Sequence, residues 1–140
     1  VLAKIVMLHG HLQQLIEFET KTGHADKAQA IADVSSQLYA LFALWPVDQI
    51  SPQLVAALHR EDAPAALSHI RSIFEALRTP WQSDDSPLFY RLAEADKLPQ
   101  TEPAFIDVFL RELETQPEYD FLRNEPEFQQ LLADARKMAR

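Results

Sequence analysis

The sequence predicts an all-α fold of six to eight helices, packed as antiparallel helical hairpins into a repeat-like or irregular bundle. Apolar residues recur every three or four positions along seven segments, and no segment alternates with the period of two that marks a half-buried strand. Only two of the 140 residues are glycine, too few for the turns of a many-stranded sheet. We expect one domain over residues 1–140, with two hairpins in residues 1–80 and C-terminal helices in residues 86–140 that complete the core.

The first two helices follow from the spacing of their apolar residues. The first stripe consists of Ile5, Leu8, Leu12 and Leu15, and the second of Ile31, Val34, Leu38, Leu41 and Trp45. These stripes predict one helix over residues 2–21 and another that begins at Asp26. Because the connection between them is short, the two helices should pack antiparallel. We expect the second stripe to be buried, so that alanine at Leu38 or Leu41 costs about 2–5 kcal/mol.

Capping residues followed by proline predict where five further helices begin. The pairs are Ser51 with Pro52, Asp62 with Pro64, Ser86 with Pro87, Thr101 with Pro103, and Asn124 with Pro126. In the last of them, Asn124 and Glu127 have the spacing of a capping box, in which each side chain bonds the backbone N–H of the other residue.

Two segments of the chain are similar to one another. Residues 26–45 align without a gap on residues 62–81, so that Asp26 matches Asp62 and Trp45 matches Trp81, along with most of the apolar positions. Any two amphipathic helices can be aligned on their apolar stripes, so the sequence leaves open whether this is a true repeat.

The turn from Gly23 to Ala28 resembles the turn of a tetratricopeptide hairpin, in which a small alanine lets two helices approach. Residues 119–132 are similar to the closing segment that often follows such repeat arrays in bacterial regulators. The first helix departs from the family pattern, since it has Leu12, Leu15-Ile16 and Glu19 where tryptophan, leucine-glycine and tyrosine are expected. The resemblance implies a non-catalytic surface that binds a protein or peptide.

The residues that catalysis commonly uses are missing or badly spaced. The chain has no cysteine, and neither glycine lies in a phosphate-binding loop or beside a serine in a nucleophile elbow. His9 and His11 are two residues apart, and two ligands on one helix face need a spacing of three or four. We therefore expect no enzyme activity, no catalytic residue, no metal site and no cofactor.

Charge and hydropathy exclude two further classes of partner. The net charge is −8, and residues 61–140 contain nine basic and sixteen acidic residues. A nucleic-acid site needs a basic face, and the one basic cluster, Arg136, Lys137 and Arg140, suits the negative end of a helix. The longest uncharged run, residues 34–47, is too short to span a bilayer, and the start shows no leader pattern. We expect no nucleic-acid binding, no membrane insertion and a cytoplasmic location.

Two groups of residues are candidates for a binding surface. Tyr39, Trp45, Trp81 and Tyr90 lie at or near helix ends, where aromatic residues either close the packing or anchor a partner. Glu112, Glu114 and Glu118 belong to an acidic stretch that is either a plain solvated face or a surface that steers a basic partner.

The sequence thus favours a helical protein-interaction or regulatory module with a protein or peptide partner, basic in character. Self-association into a homo-oligomer stays open. The alternatives are an all-α sensor of a small apolar ligand and a small acidic chaperone of the secretion type. A closed apolar cavity would favour the sensor, and an open groove with exposed aromatic residues would favour the interaction module. The cavity would be lined by Phe74, Trp81, Phe89 and Phe109.

Overall fold

A computed structural model describes residues 2–80, 82, 86–89 and 102–139 of the chain. These residues form six α-helices and one 3₁₀ helix, and they contain no strand, which confirms the all-α prediction. The helices are α1 (Leu2–Lys21), α2 (Ala25–Leu41), α3 (Pro46–His59), α4 (Ala63–Leu77), α5 (Glu102–Thr115), the 3₁₀ helix (Pro117–Leu122) and α6 (Pro126–Met138).

Each of the first four helices packs against the next, and α1 also contacts α3. Helices α5 and α6 pack on α4 and on each other, and the 3₁₀ helix contacts α3. The main core therefore lies among α3, α4 and the C-terminal helices, where Ile70, Leu113 and Phe128 are fully buried. A smaller cluster joins Ile5, Tyr39, Leu44 and Phe89.

The turn between α1 and α2 depends on a glycine and two alanines. Gly23 has φ +85°, a conformation that side chains disfavour, and the His24 N–H donates to the Glu19 carbonyl at 2.8 Å. Ala28 and Ala32 are buried with Ile16 and Ala56, where α1, α2 and α3 meet. Small side chains at this crossing allow the three backbones to approach closely.

The predicted apolar face of α2 was wrong. The buried residues of this helix are Ala28, Ala32, Ser35 and Tyr39. Val34 is 60% exposed and Leu41 is 76% exposed, whereas Leu38 is half-buried against the Tyr39 cluster. The helix ends at Leu41, so Trp45 is not part of it but precedes α3. The small residues Ala28 and Ala32 face inward where α2 contacts both α1 and α3.

The buried positions of α2 and α4 favour a different alignment of the two similar segments. Under the alignment of residues 26–45 on 62–81, exposed Val34 and Leu41 fall on buried Ile70 and Leu77. A shift of two more residues matches the buried positions of α2 to those of α4. It pairs Ala28 with Ala66, Ala32 with Ile70, Ser35 with Ile73, and Tyr39 with Leu77.

Of the predicted helix starts, Asp62 is confirmed, because its Oδ1 accepts from the Ala65 N–H at 3.1 Å. Helix α5 likewise begins beside Pro103, although its preceding residue Thr101 lies outside the described residues. After Ser86, residues 87–89 form a turn, and the rest of that predicted helix is not described.

Two other starts were wrong. Ser51 and Pro52 lie inside α3, which begins earlier because Pro46 occupies its first turn. The capping box at Asn124 does not form, since Glu125 is the residue that precedes α6 and makes no side-chain cap, and the Glu127 carboxylate pairs with Arg71 instead.

Candidate binding cleft

An open cleft of about 630 Å³ lies between α1, α3, α5 and the 3₁₀ helix. Helices α1 and α3 form adjacent walls, and the end of α5 with the 3₁₀ helix closes the far side. The lining residues are Gly10, Gln13, Gln14, Glu17, Val47, Ser51, Leu54, Val55, Leu58, His59, Ile73, Phe109, Glu112, Glu118 and Tyr119.

The floor of the cleft is an edge of the main core. Leu54, Leu58 and Ile73 line it, and each is more than nine-tenths buried. Val55 and Phe109 are partly exposed beside them. The floor thus offers a small apolar surface that is held rigid by the core beneath it.

One side of α1 forms a polar wall. Gly10, Gln13, Gln14 and Glu17 fall on this side because they are spaced by three and four residues. A Cβ atom built on Gly10 would meet no atom within 4 Å, so the position is open. Gln14 is exposed, and its side chain makes no hydrogen bond with the described residues.

Three carboxylates come from three different elements: Glu17 from α1, Glu112 from α5 and Glu118 from the 3₁₀ helix. The Lys21 ammonium bonds the Glu17 carboxylate and lowers its pKa, and His59 adds a smaller effect in the same direction. Within the described residues, no cation forms an ion pair with Glu112 or Glu118.

Glu112 and Glu118 interact with each other. Partial burial raises the pKa of Glu112, and the nearby charge of Glu118 raises it further. Tyr119 also lines the cleft, and burial together with these two carboxylates raises the pKa of its hydroxyl. The far side of the cleft therefore carries negative charge that the described part of the protein leaves uncompensated.

The predicted acidic residues separate into two groups. Glu112 and Glu118 both line the cleft, whereas Glu114 points to α6, where its carboxylate pairs with Arg136. Because that pair compensates its charge, Glu114 adds little to the field in the cleft.

The two described aromatic candidates both make packing contacts. Tyr39 is 1% exposed, and its hydroxyl lies 2.9 Å from His9 Nδ1. Trp45 Nε1 donates to the Thr79 carbonyl at 2.8 Å, and its ring meets Phe105 edge-on with centroids 5.2 Å apart. The other two candidates, Trp81 and Tyr90, lie outside the described residues.

The phenylalanines that were expected to enclose an apolar cavity do not meet in one place. Phe74 and Phe109 pack with ring centroids 5.0 Å apart in the main core, but Phe89 belongs to the separate cluster around Tyr39. The fourth expected residue, Trp81, is not described.

The chemistry of the cleft is that of recognition by charge and hydrogen bonds. It presents carboxylates, amides, the His59 imidazole and the Ser51 hydroxyl, whose proton is donated to the Val47 carbonyl at 2.8 Å. Across the described ranges, no group of three or more potential ligands could hold a metal ion. Nor is any helix there long and apolar enough to cross a membrane.

The wall on α1 was not predicted from the sequence. A signal for it was present, because a glycine in the interior of a helix is unfavourable and the polar residues near Gly10 repeat on one side of the helix.

Comparison with known proteins gave no match: no family model, no curated protein and no solved structure is significantly similar to this chain.

Proposed function

We propose that this protein is a non-catalytic helical interaction module that binds a segment of a partner protein in the cleft between α1, α3 and α5. One observation carries the proposal: an open cleft combines an apolar floor with the carboxylates of Glu112 and Glu118, which form no ion pair with the residues that the structure describes. Apolar contact provides binding free energy, while uncompensated charge at the rim raises association rates and selects the partner.

The shape and lining of the cleft favour a protein segment as its occupant over the small apolar ligand of the sensor alternative. A pocket for a small apolar ligand is enclosed and lined mainly by apolar side chains. This cleft is open, and two of its walls carry carboxylates and amides. Burying those groups against an apolar molecule would cost free energy without replacing their hydrogen bonds to water.

A matched pair of tryptophan variants tests the proposal. Gln14→Trp places a large ring in the cleft from an exposed position on α1, and Gln37→Trp makes the same change at an exposed position on α2 outside the cleft. Partners are captured from the source cell on the wild type and on both variants, and they are identified by mass spectrometry.

We expect a partner that binds the wild type and Gln37→Trp but is lost from Gln14→Trp, while circular dichroism shows equal helicity in all three proteins. A partner held equally by all three would place binding on another surface and would contradict the proposal.

A further inference from the structure

No described atom packs against the position that a Cβ would take on Gly10. This residue lies in the middle of α1, where glycine is less favourable than alanine by about 1 kcal/mol. Glycine allows another group to approach the backbone closely, yet no described atom lies within 4 Å of the position that its Cβ would take. Gly10 is one of the residues that line the cleft.

The charges on the opposite side of the cleft indicate what kind of group approaches. Glu112 and Glu118 are negative, share one region and have no cationic partner among the described residues. Each carboxylate accepts several hydrogen bonds, and the groups that donate them with opposite charge are the lysine ammonium and the arginine guanidinium.

We propose that the occupant of the cleft is a peptide segment that carries lysine or arginine. Its cationic side chains contact Glu112 and Glu118, and its main chain passes against the α1 backbone at Gly10. This inference rests on the proposed function, because it names the chemistry of the partner that the cleft binds.

Gln14 and Gly10 together suit a main chain at this wall. The exposed Gln14 amide has both a donor and an acceptor for a passing peptide group, and Gly10 leaves the space that a side chain would fill. Apolar side chains of the segment would lie on Val55 and Phe109 at the floor.

The test begins with a random-peptide display library selected on the wild-type protein at low salt. We expect the selected peptides to be enriched in lysine and arginine relative to the starting library. The best peptide is then synthesised, and its affinity is measured for the wild type, for Gln14→Trp and for three further variants.

In the variant E112Q/E118Q we expect the affinity to fall about tenfold, since two charge contacts are lost. The matched control D107N/E125Q removes the same charge from exposed residues that do not line the cleft, and its affinity should stay within about twofold of the wild type. In Gly10→Ala the thermal midpoint should be equal or higher, because alanine favours the helix, while the peptide binds several-fold more weakly.

The outcomes separate the two proposals. If no peptide is selected above a control protein, both fail. If neutral or acidic peptides are selected and Gln14→Trp abolishes their binding, the proposed function stands and the cationic occupant is wrong. If basic peptides are selected but bind E112Q/E118Q as tightly as the wild type, the contact with these carboxylates is wrong. Unchanged affinity in Gly10→Ala would contradict the approach to α1.

Discussion

Asp48 shows how one residue makes stability depend on pH. It lies in the first turn of α3, and burial raises the pKa of its carboxyl from 3.8 to about 6. Ionisation of Asp48 therefore costs more free energy in the folded state than in the unfolded chain. Tyr39 is affected by the same carboxylate, because burial and the charge of Asp48 together raise the pKa of its hydroxyl to about 12.

The sign of this effect predicts a stabilising substitution. Because the folded pKa is raised, the stability linked to Asp48 is fully present below pH 3.8 and is lost as the pH rises through about 6. Asp48→Asn should raise the free energy of unfolding by about 1–3 kcal/mol at pH ~8 and change it little at pH ~4.

Urea unfolding at both pH values measures this difference, with exposed Asp107→Asn as the control. An equal effect of Asp48→Asn at both pH values would show that its ionisation is not coupled to folding.

Ile70 and Leu41 have side chains of similar size, but one lies in the core and the other on the surface. Ile70 of α4 is fully buried, and Ile70→Ala should lower the free energy of unfolding by about 2–5 kcal/mol because it leaves a cavity. Leu41 of α2 is 76% exposed, and Leu41→Ala should lower it by less than about 0.5 kcal/mol. Denaturant midpoints give both values. A large loss at Leu41 would mean that this face of α2 is covered.

At the scale of elements, Arg123 joins the end of α5 to the turn before α6. Its guanidinium donates to the carbonyls of Leu113, Glu114 and Gln116 at 2.6–2.8 Å and to the Asp120 carboxylate at 2.9 Å. The last carbonyls of a helix have no partner within the helix, and Arg123 bonds them with one planar group. This cap fixes the chain where it turns into the 3₁₀ helix that carries Glu118 and Tyr119.

Removing this cap should destabilise the connection between α5 and the 3₁₀ helix. Arg123→Gln should lower the free energy of unfolding by about 1.5–3 kcal/mol, in the range of hydrogen bonds made by a charged group. Exposed Arg111→Gln, which removes the same charge from α5, should have an effect below about 0.5 kcal/mol. Chemical denaturation of both variants is the measurement, and equal losses would refute a specific role for Arg123.

The sequence predicted elements better than it predicted their faces. Apolar spacing and prolines were enough for the extent of α1 and for the start of α4, since both signals are local. The inward face of α2 was missed because it consists of alanine, serine and tyrosine, which form a weak apolar stripe. Their burial depends on close contact with α1 and α3, and a single helix carries no information about that contact.

At the scale of the molecule, the cleft is assembled from residues that are far apart in the chain. Acidic composition indicated Glu112 and Glu118, but only the fold brings them opposite Gly10 and Gln14. Glu114, the third acidic candidate from the sequence, lies two residues from Glu112 but is directed to α6. Helix geometry separates near neighbours in this way, and tertiary packing decides which of them share a site.

Other apolar surfaces exist on the first two helices. Met7 and Phe18 of α1 are 57% and 59% exposed, and Leu41 of α2 is more exposed still. None of these three lines the cleft. These faces therefore lie outside the proposed binding site.

The chain's two glycines allow the most direct test of that claim. Gly10 lines the cleft, and Gly23 lies in the turn between α1 and α2, outside it. Protein labelled with ¹⁵N at glycine alone should give one amide signal from each residue, and the selected basic peptide is titrated against it by NMR. We predict that the Gly10 signal shifts and saturates while the Gly23 signal stays in place. A saturating shift at Gly23, with Gly10 unmoved, would contradict binding in the cleft.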